Sequence, residues 1–135
     1  MFSFLIWCQG LANRLPHHQD DFNLRGDDHR SMNLWLALDD IGPERGCLQY
    51  IPGSHRRGVR PHNADGPPFI LDYGDCDRDQ EVAVPALAGD VIIHDGLTVH
   101  CSGNNSTALE RPALVFPYSV ESGGGVAPRS LVFQA

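Results

Sequence analysis

The sequence predicts an all-β chain whose short strands pack as a sandwich or barrel. Turn formers are abundant, with 14 Gly and 10 Pro in 135 residues, which favours many turns between short strands over long helices. The apolar runs are brief and bounded by those turns, about seven of them, as in sandwiches and barrels. No amphipathic pattern extends beyond two helical turns, and nothing requires a βαβ unit. The length sets a limit of one domain, residues 1–135, with its core expected over 16–120.

Phe2, Phe4, Leu5, Ile6 and Trp7 are apolar without a clear period, which suits a short helix or a strand edge. A strand carrying His18 and Asp20 follows, and Gly26-Asp27-Asp28 marks a turn in the polar stretch up to Ser31. Leu34 to Leu38 is a continuous apolar run, the pattern of a strand covered on both faces. After a loop with Gly42-Pro43, Cys47 to Ile51 reads as another strand, ended by the sharp turn Pro52-Gly53-Ser54-His55. Residues 56–80 form a long loop, which in so short a chain suggests a lid, a binding loop or disorder. Glu81 to Leu87 alternates loosely, and Ala88-Gly89-Asp90 turns the chain into Val91 to His94. Asp95-Gly96 looks like a hairpin turn, with Leu97 to His100 as the returning strand. Beyond a polar loop, Ala113 to Phe116 reads as a buried strand. Gly123-Gly124-Gly125 breaks the chain before a last apolar piece, Leu131 to Phe133.

The formal net charge is −7, which argues against nucleic acid as a partner. All ten cationic residues are Arg, with no Lys. The apolar start lacks a basic flank and is too short to span a membrane, so neither a signal peptide nor a membrane partner is expected. Cys8, Cys47, Cys76 and Cys101 contain no Cys-x-x-Cys pair, so free thiols in a reducing cytoplasm are the simplest account.

The chemistry concentrates in Pro16-His17-His18-Gln19-Asp20. In a strand, residues two apart share a face, so His18 and Asp20 project together, with Gln19 turned away and His17 opposite. An imidazole and a carboxylate on one face are two-thirds of the 2-His-1-carboxylate triad of non-haem Fe(II) oxygenases. Alone, His-x-Asp is a weak signal in a chain with seven His, and a polar strand end is the plain alternative. Far downstream, His100 ends a strand and Arg111 opens the next, close enough for an antiparallel return. An Arg fork binds a carboxylate in two places and stays charged when buried. His94 and Asp95 are adjacent, so regular β-structure points them to opposite faces and they cannot share one metal. His94 is expected to pack beside the barrel mouth, with a role toward substrate as the alternative. His17 reads as an outward strand residue. Arg56, Arg57 and Arg60 read as a solvated loop, with recognition of an anionic substrate as the alternative.

Several of these pieces resemble the phytanoyl-CoA dioxygenase family of Fe(II)/2-oxoglutarate-dependent oxygenases. They are His18-Gln19-Asp20, Trp35 to Asp40, Gly46-Cys47-Leu48 through Pro52 to His55, Gly89-Asp90 through His94-Asp95-Gly96, and His100 to Gly103 through Asn105 to Arg111-Pro112-Ala113. They run in family order. The resemblance implies a double-stranded β-helix, or jelly roll, with the site inside the barrel mouth. It implies iron held by His18, Asp20 and His100, and 2-oxoglutarate held at its distal carboxylate by Arg111 with support from Ser102. Trp35 and Gln19 match positions lining the cosubstrate pocket. Dioxygen would be the co-reactant and a small organic molecule the substrate, hydroxylated with release of succinate and carbon dioxide. Related halogenases have a small residue at the position of Asp20, so a carboxylate there favours hydroxylation. Two features depart from the family. Its members are about twice as long, the additional part being helices before the metal strand, and they tend to use an upstream Lys that this chain lacks. The rival readings are a cupin-type metalloenzyme that does not use 2-oxoglutarate and a non-catalytic jelly-roll fragment. Oligomeric state is not legible.

Overall fold

Strand β2 (Ser31–Ala37) organises the larger of two antiparallel sheets in the computed structural model, which describes residues 4–8, 14–21, 31–62, 71, 77–120 and 126–128. That sheet runs in the order β1 (Phe4–Cys8), β7 (Arg111–Val120), β2, β5 (Val91–Asp95), with β8 (Val126–Pro128) also paired to β7. The smaller sheet runs β4 (Val82–Val84), β3 (Leu48–Tyr50), β6 (His100–Ser102). A single bridge between His18 and His100 adds the His18 segment beside β6, and Leu71 N donates to His17 O at 2.9 Å beyond it. The described helical turns are two short 3-10 segments, Ser54–Arg57 and Arg78–Gln80. This is the double-stranded β-helix that the family resemblance implies.

Side-chain alternation decides which residues enter the interior. On β2, Ser31, Asn33, Trp35 and Ala37 point inward and are buried. In register with them, β7 supplies Ala113 and Val115, with Arg111 two residues earlier on the same face, and β5 supplies Ile92 and His94. The smaller sheet meets them with Leu48 and Tyr50, so one core joins Trp35, Ala37, Ile41, Cys47, Leu48, Tyr50, Ala86 and Ala113. A second cluster, Ile51, Leu71 and Val99, lies behind the smaller sheet.

The apolar start takes the strand-edge form of the two expected, β1 pairing with β7 through Phe4–Val115 to Cys8–Arg111 at the sheet's edge. Three expectations change. The strand expected at His18 and Asp20 is a single bridge at His18 followed by a turn at Asp20. The run from Leu34 to Leu38 is not buried on both faces: Met32, Leu34 and Leu36 face away from the core, Met32 exposed and the two leucines half-buried. Asp95-Gly96 does not close a hairpin. β5 pairs with β2 and β6 with β3, so the turn carries the chain from one sheet to the other. Thr98 N bonds Asp95 O at 2.8 Å, while Gly96 N reaches across to Ser31 O at 2.9 Å. Residues 22–30, Gly123 to Gly125 and Leu131 to Phe133 lie outside the described residues. No helix among the described residues is long and apolar enough to cross a membrane.

Gly46 shows how tightly the turn before β3 fits. Its φ is +73°, and a Cβ there would sit 2.4 Å from Gly103 O and 2.9 Å from Arg111 Nη1. Gly53 has the same backbone hand, φ +74°, with nothing within 4 Å of a built Cβ. Gly53→Ala should therefore cost only the left-handed penalty of about 1–2 kcal/mol. Gly46→Ala adds overpacking of about 1–3 kcal/mol to the same penalty. Urea unfolding of both variants checks this, and equal losses would refute the close approach.

Candidate metal centre

The bridge between His18 and His100 is made of two main-chain bonds, His18 N to His100 O at 2.9 Å and His100 N to His18 O at 3.0 Å. Residues paired this way in antiparallel strands send their side chains to the same face. The two rings accordingly lie 4.2 Å apart between centroids. Asp20, two residues after His18, shares that face: its Oδ1 is 3.5 Å from His18 Nε2 and its Oδ2 is 3.7 Å from His100 Nε2. One donor atom from each of the three lies within 4.8 Å of the others.

The rings are oriented by their other nitrogens. His18 Nδ1 donates to Pro16 O at 2.8 Å, and His100 Nδ1 donates to Thr98 O at 2.9 Å. With the proton on Nδ1, each Nε2 keeps a lone pair aimed toward Asp20, the tautomer a metal requires. Burial pushes the His100 imidazole down to about 3, so it is neutral. Burial alone would raise the Asp20 carboxyl, but His100, His18 and His94 around it outweigh that and hold it well below the ordinary carboxylate range.

Three residues that sequence reasoning did not assign to the site complete it. Asn33 Nδ2 donates to Asp20 Oδ2, and His94 Nε2 lies 3.0 Å from the same oxygen. Asn33 and His94 are register partners on β2 and β5. Tyr50 OH is 2.9 Å from His94 Nδ1. The signal for His94 was its place two residues after Ile92, on the inward face of β5. Identifying what it faces required the pairing of the other sheet.

Arg111 is buried, donating to Gly46 O through Nη1 and to Ser102 Oγ through Nη2 at 3.1 Å. Ser102 Oγ also accepts from Leu15 N at 2.9 Å. Among the described residues no carboxylate pairs with this guanidinium, and an uncompensated buried charge is costly. The other buried arginine differs: Arg45 bonds Asp39 Oδ2 at 2.9 Å, Asp40 O at 2.6 Å and Glu110 O. Ser102 follows His100 by two residues on one strand, so Arg111 acts about 7 Å along the strand from the triad, at roughly 3.3 Å per residue.

Trp35 is in the shared core. Gln19, matched by resemblance to a pocket position, is fully buried. Its Nε2 donates to Gly58 O at 2.9 Å and Leu97 O at 2.6 Å, and its Oε1 accepts from Arg60 N at 2.8 Å. It anchors the 58–60 loop, as expected for a side chain turned away from Asp20. His17 is not a solvent-facing strand residue either. It is buried and bonded to Glu81, with Cys101 Sγ 3.6 Å from the same carboxylate oxygen and 3.3 Å from Gln49 Oε1. Burial pushes the Cys101 thiol up to about 12, and these bonds satisfy the cluster. Of the loop arginines, Arg57 pairs with Asp77 at 2.5 Å.

A family profile described as phytanoyl-CoA dioxygenase matches residues 9–113. The chain is 35% identical over 115 residues to a phytanoyl-CoA dioxygenase domain-containing protein 1 homolog of Caenorhabditis briggsae, covering 76% of this chain and 40% of that protein. It is 31% identical over 118 residues to the Bos taurus phytanoyl-CoA dioxygenase domain-containing protein 1, covering 82% and 40%. Among solved structures, EvdO2 from Micromonospora carbonacea complexed with 2-oxoglutarate superimposes with a TM-score of 0.77 at 30% identity, covering 96% of this chain and 53% of that one. The epimerase SnoN, in complex with Fe3+, alpha ketoglutarate and nogalamycin RO, gives 0.67 at 25% identity, covering 95% and 50%. This chain thus spans about 40% of the curated relatives and about half of these structures. By the profile match and by these identities, the chain belongs to the phytanoyl-CoA dioxygenase family.

Proposed function

We propose that this chain carries the centre of an Fe(II)- and 2-oxoglutarate-dependent dioxygenase that hydroxylates a C–H bond of a small organic substrate. The observation that carries the reading is a conjunction inside one jelly roll. Two imidazole nitrogens and a carboxylate converge, and a buried Arg111 without a counter-ion among the described residues stands one strand-step away. The donor set suits iron, a borderline cation that takes imidazole and carboxylate together. His18 and His100 would bind through Nε2 and Asp20 through Oδ1, since Oδ2 already accepts from Asn33 and His94.

When bound, iron and 2-oxoglutarate supply the dioxygen chemistry, in which succinate and carbon dioxide leave and the substrate gains a hydroxyl. Arg111 holds the distal carboxylate with its fork, and the Ser102 hydroxyl, already accepting from Leu15 N and Arg111, keeps its own proton to donate to the same group. Trp35 and Tyr50 close the interior on that side and keep water out. Asp20 fills the position that related halogenases leave open, which favours hydroxylation. Residence in the cytoplasm belongs to the same proposal, consistent with Cys47 and Cys101 as free thiols.

Anaerobic Co(II) titration should show one bound ion for the wild type and a loss of at least about a hundredfold in affinity for His18→Ala or His100→Ala, more than a supporting residue costs. Unchanged affinity in both would refute the ligand set. Arg111→Ala should keep Co(II) affinity within a few-fold while weakening 2-oxoglutarate binding by about 3 kcal/mol, roughly a hundredfold. Isothermal titration of metal-loaded protein measures this, and equal 2-oxoglutarate affinity would overturn the role of Arg111.

The metal-free chain should also respond to acid. His17 and His100 are held neutral in the fold by burial, so below about pH 6.5 the unfolded chain takes protons that the folded chain refuses. The Asp20 shift acts in the same direction at lower pH. Stability should therefore fall as pH falls from 7 to 5, by about 1.4 kcal/mol per pH unit below 6.5 for His100. A thermal midpoint that stays flat or rises over this range would contradict the burial argument.

A further inference from the structure

We infer that His94 is a positioning residue that fixes the Asp20 carboxylate, with Tyr50 setting its tautomer, and that it is not a fourth ligand. The inference rests on the metal centre proposed above and adds how its carboxylate is aimed. A third imidazole so close to the triad invites the other interpretation: the His94 and His100 ring centroids are 4.5 Å apart. Proton placement decides between them.

A protonated phenol can donate, and Tyr50 OH lies 2.9 Å from His94 Nδ1. A neutral imidazole that accepts at Nδ1 carries its hydrogen on Nε2. That Nε2 is 3.0 Å from Asp20 Oδ2, where the N–H donates. The tautomer is the reverse of that in His18 and His100, whose Nδ1 protons go to Pro16 O and Thr98 O. Two imidazoles thus present lone pairs to the centre, while the third presents a hydrogen to the carboxylate. Asn33 Nδ2 donates to the same oxygen. Oδ2 is held from two sides, and Oδ1, 3.5 Å from His18 Nε2, is left to the metal. The holders stand on rigid elements. Asn33 and His94 pair across β2 and β5, and Tyr50 pairs with His100 across β3 and β6.

The test is Co(II) affinity and the visible ligand-field spectrum in the full chain without 2-oxoglutarate, alongside metal-free thermal melts. His94→Ala should weaken Co(II) binding about 10–100-fold, as expected when a partner that orients a ligand is lost. His94→Gln, whose amide N–H can reach Asp20, should recover affinity to within about threefold of wild type and keep its spectrum. Tyr50→Phe should weaken binding about 3–10-fold although Tyr50 is not a ligand, because Nδ1 loses its donor. A fourth-ligand role is the conclusion if His94→Gln is as impaired as His94→Ala, with an altered spectrum, and Tyr50→Phe binds like wild type. A purely structural role follows if the melts drop while Co(II) affinity of the folded variants is unchanged. Either result overturns the inference and leaves the centre standing. A wild type that binds no Co(II) overturns both.

Discussion

The two-way main-chain pairing of His18 with His100 is the constraint on which the site depends. It joins segments from opposite ends of the chain, and through alternation it commits both imidazoles to one face. Once those rings are fixed, Asp20 must follow on the same side, and His17 and Cys101 must turn to the other. The polar cluster behind the smaller sheet is therefore the reverse of the same choice. Sheet geometry also makes the site rigid, since its donors stand on or beside paired strands and not at loop tips. The sheet-to-sheet turn at Gly96 is tied into this arrangement. Asp21 N bonds Gly96 O at 3.0 Å, and a Cβ on Gly96 would come 2.1 Å from Ser31 Oγ. That turn leaves His94 on the larger sheet and His100 on the smaller, so the two meet across the interior.

Electrostatics separates scaffold from site. Arg45 and Arg111 are both buried, yet Arg45 has an acidic partner and two carbonyls, while Arg111 has a carbonyl and a hydroxyl. Desolvating a guanidinium without an opposite charge costs several kcal/mol. An anion that pairs with Arg111 would bind the folded state alone and stabilise it by mass action. Under the proposed role, such an anion would complete the charge balance that the described residues leave open at Arg111.

Much of the fold was legible because alternation and turn chemistry are local. The runs at 34–37, 91–94 and 113–116 are strands, and His18 and Asp20 meet as the period-two argument expected, although their segment is a single bridge and a turn and not a strand. The same argument turned Gln19 away from Asp20, and its side chain bonds Gly58 O, Leu97 O and Arg60 N. The misreadings concern pairing between distant strands. Asp95-Gly96 carries the residues of a hairpin turn, and nothing in those two residues states that the next strand joins the other sheet. His94 was correctly separated from Asp95 by facing, but its meeting with Asp20 depends on the Asn33–His94 and Tyr50–His100 registers. His17 looked exposed because the segment that covers it, ending in Glu81, lies far along the chain.

The larger sheet has an unusual division of chemistry between its faces. Antiparallel sheets ordinarily send apolar residues to the core and polar ones to water. Here Ser31, Asn33, His94 and Arg111 point inward, while Met32, Leu34, Leu36, Val91, Ile93, Leu114 and Phe116 point outward. A polar interior of this kind would suit the charged cosubstrate proposed for it, with part of the apolar content of these strands carried on the other surface. Ile93 is 58% exposed on the edge strand β5. Burial stabilises only when apolar area leaves water, so the exposed Met32, Val91 and Ile93 contribute less than the half-buried Leu34, Leu36, Leu114 and Phe116. The interior combines the apolar core of Trp35, Ile41, Leu48 and Tyr50 with these polar groups, and the bonds from Asn33 and His94 to Asp20 belong to that scaffold as much as to the candidate centre.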